Sequence, residues 1–355
     1  MKSGILNFIT IVAFMAMINL HSTAQELIIP NGDLEIGGTL ELPESHQKGD
    51  LLVIMITGSG AQDRDETILG FKPFKLIAEH LMEEGIASFR YDDRQMGTST
   101  GDFSSATLDD LANDVKAIMD YFQFQSETVF DEFILFGHSQ GGIVSTRLAA
   151  NDDRITAMVL MASTMVPLKD VINEQVIIMQ KAAGKTEDDI QPILEFQELA
   201  YETARKNEGW DELKVEYQKL IENEVAKLPE NQRQYIVDVE SFANAQFSAQ
   251  VTPLQSAQMR SLLYYDPVDD LDGLEIPILA LFGGKDTQVT PVQNETVFVE
   301  VCENDRMNCS NVNFPNANHL FQRANTGFVT EYAMLPKEFV DGFLEEISEW
   351  ILGME

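Results

Sequence analysis

Positive charge, cysteine and histidine are all scarce in this chain, and each scarcity excludes something. Only 24 Lys and Arg stand against 58 Asp and Glu, a net charge of −34. A surface that acidic repels phosphate backbones and anionic lipid, so nucleic-acid binding is not expected. Solubility is the plain use of the acidity; attraction of cationic substrates is a functional use that no motif supports. The two cysteines, Cys302 and Cys309, have no histidine at ligand spacing. They cannot make a tetrahedral metal site, and neither metal nor cofactor is expected. Beyond the N-terminus no run is long and apolar enough to cross a bilayer. The five histidines are few enough to be weighed one by one as a catalytic base.

What is present begins with a distinctive N-terminus. Lys2 precedes an apolar run from Ile5 to Leu20, and Ser22-Thr23-Ala24 follows. A positive start, an apolar middle and small residues before a cut describe a signal peptide, here residues 1–24, leaving Gln25 first. An uncleaved anchor is the rival, but the run is short and carries Asn7, Thr10 and Asn19. The expectation is therefore an exported protein, periplasmic or secreted. Export would permit a disulfide between Cys302 and Cys309, with two free thiols as the alternative.

The rest of the chain alternates. Leu27 to Leu42 reads as one or two strands around Asn31-Gly32 and Gly37-Gly38. Leu51–Ile56, Ile86–Tyr91, Phe133–Phe136 and Ile155–Met161 read as buried strands. Helical patterns lie between them at Phe74–Glu84, Leu108–Phe122 and Gly141–Ala150, the second opened by Thr107 as N-cap. From about residue 166 to 265 strands vanish, and Leu213, Tyr217, Leu220, Ile221 and Val225 share a helix face. The alternation resumes with a strand at Ile276–Phe282 and a helix at Pro291–Cys302. A short strand at Val312–Phe314 and a last helix from about Pro336 to Leu352 follow. The pattern predicts an α/β fold: a mostly parallel sheet with helices on both faces. Its core comprises residues 25–165 and 266–355, interrupted by a helical lid at 166–265.

Gly137-His138-Ser139-Gln140-Gly141 falls between a predicted strand and a predicted helix. G-x-S-x-G there is a nucleophile elbow, a turn that lifts serine clear of the sheet beside a helix N-terminus. Ser139 then needs a base. His21 falls in the signal segment, His46 in an early loop and His80 on a predicted surface helix; His138 is held within the elbow. His319 remains, just past the last predicted strand. Asp286 ends the fifth strand of the parallel series, at the edge where loops carry function, and is preferred to Asp272 and Asp305 as the orienting acid. The oxyanion donors expected are the backbone N–H groups of Gln140 and, in Thr57-Gly58-Ser59-Gly60-Ala61-Gln62, of Ser59, with Gly60 next. Arg64, Asp65, Arg90, Asp92, Asp93 and Arg94 form a charge cluster expected to tie two loops together rather than to react.

Several spaced stretches resemble the EstD-like bacterial carboxylesterases, α/β-hydrolases often grouped with the S33 serine aminopeptidases. They are Thr57 to Thr67, Lys72-Pro73-Phe74, Arg90-Tyr91-Asp92-Asp93-Arg94, the elbow, Tyr264-Tyr265-Asp266-Pro267 and Gly284-Lys285-Asp286. The resemblance runs from about Leu40 to the C-terminus. It implies an α/β-hydrolase fold, a helical lid, a Ser139–Asp286–His319 triad and cleavage of short-chain acyl esters, with a small-molecule ester as partner. Three departures stand out: Gln95 where relatives usually have glycine, Ala61 for a common proline, and Gln258-Met259-Arg260 for a frequent Ser-Pro-Trp. The last lies in the lid and bears on substrate preference. Thioesterase or peptidase action would use the same triad. A non-catalytic binding protein on this scaffold is the alternative from a different class.

Overall fold

The computed structural model describes residues 23–47, 49–303 and 307–354. Two strands, β1 (Thr23–Asn31) and β2 (Leu34–Leu42), form a hairpin in which Asn31 pairs with Leu34. Then come β3 (Leu51–Ile56), α1 (Pro73–Glu83), β4 (Ala87–Tyr91), α2 (Leu108–Phe124), β5 (Glu132–His138), α3 (Gln140–Ala149) and β6 (Ile155–Met161). The helical insertion follows: α4 (Leu168–Ala182), α5 (Glu187–Lys206), α6 (Trp210–Lys227), α7 (Glu230–Arg233), α8 (Val239–Gln250), α9 (Ala257–Leu262) and α10 (Pro267–Leu271). The chain closes with β7 (Pro277–Gly283), α11 (Pro291–Cys302), β8 (Asn308–Phe314) and α12 (Phe343–Leu352).

One sheet of eight strands results, in the order β1-β2-β4-β3-β5-β6-β7-β8. The first two pairings are antiparallel and the remaining five parallel. The predicted mostly parallel sheet is therefore present. Its central strands are apolar on both faces because both faces are covered. Leu52, Ile54 and Ile56 of β3 join one core layer with Val115, Ile118 and Phe122 of α2 and Ile143 of α3. Val53 and Met55 of the same strand join the opposite layer with Phe74 and Ile77 of α1 and Phe343 and Ile347 of α12. Thr107 caps α2 as the sequence predicts, in a reciprocal capping box with Asp110.

The insertion is wholly helical and has a small core of its own around Tyr201, Leu213, Tyr217 and Phe247. Leu220 and Ile221 line a cavity of about 700 Å³ inside it, with Phe196, Phe242 and, from that core, Tyr201 and Tyr217. Among the described residues no helix is long and apolar enough to cross a membrane. Residues 1–22 of the expected signal segment lie outside the described residues, as does Asp305. A cut after Ala24 would fall within β1, where Thr23 and Ala24 pair with Leu42 and Glu41.

Four expectations are corrected. Gly37-Gly38 is not a turn but part of β2. A Cβ on Gly37 would lie 1.8 Å from the Thr98 hydroxyl and one on Gly38 2.2 Å from Phe89, so close packing selects glycine there. The strand near Val312 begins at Asn308, because this sheet-edge strand is half exposed and carries little apolar signal. The last helix starts at Phe343, not near Pro336. Gly342, at φ 82°, turns the chain into it, and the preceding stretch is pinned by Val340 N–H donating to the Phe321 carbonyl. His80 is not simply a surface histidine: its Nε2 lies 2.9 Å from the Ser348 hydroxyl of α12. Cys302 and Cys309 form a disulfide that staples α11 to β8.

Candidate active site

Every residue singled out as reactive sits on a loop at the C-terminal ends of the parallel strands, where such folds place their chemistry. Ser139 follows β5 directly and has φ 53° and ψ −117°, a backbone conformation that L side chains rarely adopt. The glycines around it are there because nothing larger fits. A Cβ on Gly137 would lie 2.4 Å from the Gly141 carbonyl oxygen, and one on Gly141 2.1 Å from that of Ile56. A Cβ on Gly142 would strike the Ser163 hydroxyl at 2.0 Å. The strained serine is thus set by strand, helix and neighbour together. Gln140, the first residue of α3, has a backbone N–H that begins the helix and has no partner one turn earlier.

The loops after β7 and β8 are interlocked. Lys285 N–H donates to the Ala317 carbonyl at 2.9 Å, and Gly283 lies too close to the Asn318 carbonyl for any side chain. Asn318 Oδ1 accepts from the N–H groups of Leu320 and Gln322 at 3.0 and 2.9 Å, which fixes the turn carrying His319. The interlock brings His319 Nδ1 to 2.6 Å from Asp286 Oδ2. Asp286 is 4% exposed and His319 6%. The other oxygen of Asp286 accepts from Gln288 N–H at 2.7 Å and Val289 N–H at 2.9 Å, so the carboxylate cannot rotate away. With a carboxylate at Nδ1, that nitrogen carries the hydrogen and Nε2 is the basic one.

Ser139, His319, Gln140 and Ser59 line one cavity of about 280 Å³. Gly58 also lines it, but its N–H is engaged, donating to Glu66 Oε1 at 2.8 Å. Ser59, the next residue, lines it too, as does Gln62, whose N–H is taken by Asp93 Oδ2 at 2.9 Å; Gly60 does not line the cavity. The insertion supplies part of the wall through Leu168, Val171 and Gln175 of α4. It also reaches the elbow, since Gln258 Nε2 donates to Gln140 Oε1 at 3.0 Å in a buried contact. Gln258 of the insertion therefore touches the residue after Ser139.

Part of the charge cluster ties the two loops as expected, through Arg64–Asp92 and Arg90–Asp65, while Arg94 reaches α2 and Arg90 also reaches β2. Arg64 makes a two-point contact with Asp92, through Nε at 3.2 Å and Nη2 at 2.6 Å. Arg94 does the same with Asp114, at 2.6 and 2.9 Å. Arg90 pairs with Asp65 and with Glu41, the latter at 2.9 Å. Asp93 differs. It has no arginine and accepts from the Thr57 hydroxyl at 2.7 Å and Gln62 N–H at 2.9 Å. Burial, which these hydrogen bonds only partly offset, pushes its carboxyl up to about 7.

Sequence reasoning missed Glu66. It is 0% exposed, lines the cavity, accepts from Gly58 N–H and lies with Oε1 2.7 Å from His138 Nδ1. The sequence carries no local signal for it beyond its place in the run Asp63-Arg64-Asp65-Glu66-Thr67; in the structure its backbone has a positive φ of 53°. Thr164 and Tyr332 were also missed as cavity residues.

The sequence pattern of the serine aminopeptidase S33 family matches residues 72–321. The esterase EstD of Thermotoga maritima is 26% identical over 307 residues, a stretch that is 84% of this chain. The match spans 61% of that relative's length. Among solved structures, a Pyrococcus furiosus esterase superposes with a TM-score of 0.55 at 14% identity, covering 99% of each chain. A proline iminopeptidase from Mycobacterium smegmatis gives 0.54 at 16% identity over 93% of this chain and 98% of its own. The esterase Est1E of Butyrivibrio proteoclasticus, solved with ferulic acid, gives 0.51 at 19% over 92% and 97%. This chain therefore has an α/β-hydrolase fold and belongs to the serine aminopeptidase S33 family.

Proposed function

We propose that the protein is a serine hydrolase that cleaves carboxylic esters through an acyl-enzyme on Ser139. The observation that carries this reading is the buried Asp286–His319 bond at a cavity that Ser139, on its strained elbow, also lines. His319 takes the Ser139 proton as the serine oxygen attacks the ester carbonyl. The backbone N–H groups of Gln140 and Ser59 hold the oxyanion. His319 then gives its proton to the departing alcohol, and Asp286 keeps the imidazole in the required tautomer while it is charged. Water, activated by the same histidine, releases the acid.

A cavity of about 280 Å³ favours a short acyl group. Helices α4 to α9 act as a lid: they wall the cavity at Leu168 and Val171 and touch Gln140 through Gln258, so substrate preference is set there. The chain is exported after cleavage near Ala24; the Cys302–Cys309 disulfide supports an oxidising compartment. The esterase name of the Thermotoga relative supports ester rather than amide as substrate. The test is a rate comparison across p-nitrophenyl esters of increasing acyl length, with an aminoacyl p-nitroanilide included. The expected result is a kcat/KM maximum at two to four carbons, as an order-of-magnitude length for this volume. A preference for the anilide would replace the esterase reading with a peptidase one.

A further inference from the structure

A second histidine–carboxylate pair lies beside the first, and the reaction just described does not use it. His138 is 2% exposed and Glu66 0%. The His138 ring centroid is 4.7 Å from that of His319. His138 Nε2 is 3.1 Å from the His319 carbonyl oxygen, and Nδ1 is 2.7 Å from Glu66 Oε1. A carbonyl only accepts, so Nε2 carries a hydrogen. Glu66 Oε1 already accepts from Gly58 N–H and faces Nδ1 as an acceptor too. The partners therefore call for two ring hydrogens, an imidazolium bound to a carboxylate.

We propose that the Glu66–His138 ion pair is a positioning device for the ester hydrolysis, locking the loops of Ser59, Ser139 and His319 into one register. The three loops leave β3, β5 and β8, and no other single side-chain pair described here joins all of them. Gly58, next to the oxyanion donor, hangs on Glu66. His138, next to the nucleophile, donates both ways. The His319 carbonyl, on the base itself, receives the other bond. The clamp lasts while His138 keeps its second proton. Burial works against that proton, but the Glu66 charge and hydrogen bond, the bond to the His319 carbonyl and the Asp286 charge together outweigh it and raise the imidazole above its ordinary range. The charged and titratable groups facing the pair are Asp286, whose charge adds in the same sense, the His319 ring, and Asp93, which faces Glu66.

This inference rests on the proposed reaction, so one arm of its test avoids turnover. In Ser139→Ala protein labelled with ¹⁵N-histidine, NMR reads the protonation of His138 against pH. Both ring nitrogens are expected to be protonated at pH 7.5; a neutral His138 there overturns the proposal, whatever the protein hydrolyses. In Ser139→Ala/Glu66→Gln the amide keeps the size and an acceptor oxygen but no charge, and the His138 titration is expected to fall by about one pH unit or more. The kinetic arm compares wild type with Glu66→Gln on p-nitrophenyl acetate. A shift in the registry of base and oxyanion donor is expected to lower kcat roughly hundredfold, with KM within about twofold, and the alkaline loss of activity should follow the His138 titration in each protein. A Glu66→Gln enzyme with wild-type kcat, or one scaled down equally at every pH, contradicts the positioning role. If Glu66→Gln does not fold, the NMR titration of Ser139→Ala alone decides.

Discussion

Two buried histidine–carboxylate pairs sit side by side, and their difference shows how one chemistry serves two ends. In Asp286–His319 the contact is 2.6 Å, and in Glu66–His138 it is 2.7 Å. Both carboxylates also accept from backbone N–H groups. What separates them is the second ring nitrogen. His138 spends it on a backbone carbonyl, so both of its nitrogens are engaged within the protein. His319 gives only Nδ1 to its carboxylate in the bonds described above, and it lines the cavity with Ser139. In the proposed reading, the histidine with one nitrogen committed is the base and the one with both committed is the clamp.

The largest expected effect breaks the first pair. Asp286→Asn keeps the shape but donates where it should accept, which favours the wrong tautomer of His319. kcat is expected to fall roughly ten-thousandfold, measured with p-nitrophenyl acetate, while KM stays within about threefold. The Glu66→Gln variant should lose much less, roughly hundredfold, since it disturbs placement and not the proton path. Equal losses in the two variants would erase the distinction between base and clamp. The smallest effect concerns the carboxyl beside the second pair. Asp93 is raised to about 7 in the folded chain and returns to an ordinary carboxyl value on unfolding. Between those values the folded state holds the extra proton, so stability is highest at low pH and is lost as pH rises through about 7. Asp93→Asn keeps an acceptor for Thr57 and Gln62 and removes the titration. Relative to that variant, wild type should lose melting temperature between pH 5 and pH 8. A constant difference across that range would show that Asp93 is not held protonated.

Legibility in the sequence followed distance along the chain. The parallel strands were readable because burial on both faces makes continuous apolar runs, as in Leu51–Ile56. The elbow was readable because strand, glycines, serine and helix are contiguous. His319 and Asp286 were reached by elimination and by chain order, which few histidines made possible. Glu66 was not readable, since its partner His138 is 72 residues away and no local pattern announces a long-range pair. His138 was set aside as a base because the elbow constrains it; the physical reason is that both of its nitrogens are engaged. Gln95 has φ 74°, a conformation that glycine adopts without penalty and glutamine does not. Strand β8 and the start of α12 were misread for the opposite reason: polar edge residues and a leading glycine give no apolar period to follow.

The central claim is that Ser139 is a nucleophile activated by His319 under the control of Asp286. A fluorophosphonate probe, with the adduct located by mass spectrometry of the digested protein, tests it most directly. A single adduct on Ser139 is predicted, absent in Ser139→Ala and slowed by orders of magnitude in His319→Ala. An unlabelled wild type, or equal labelling of the Ser139→Ala protein, would contradict it.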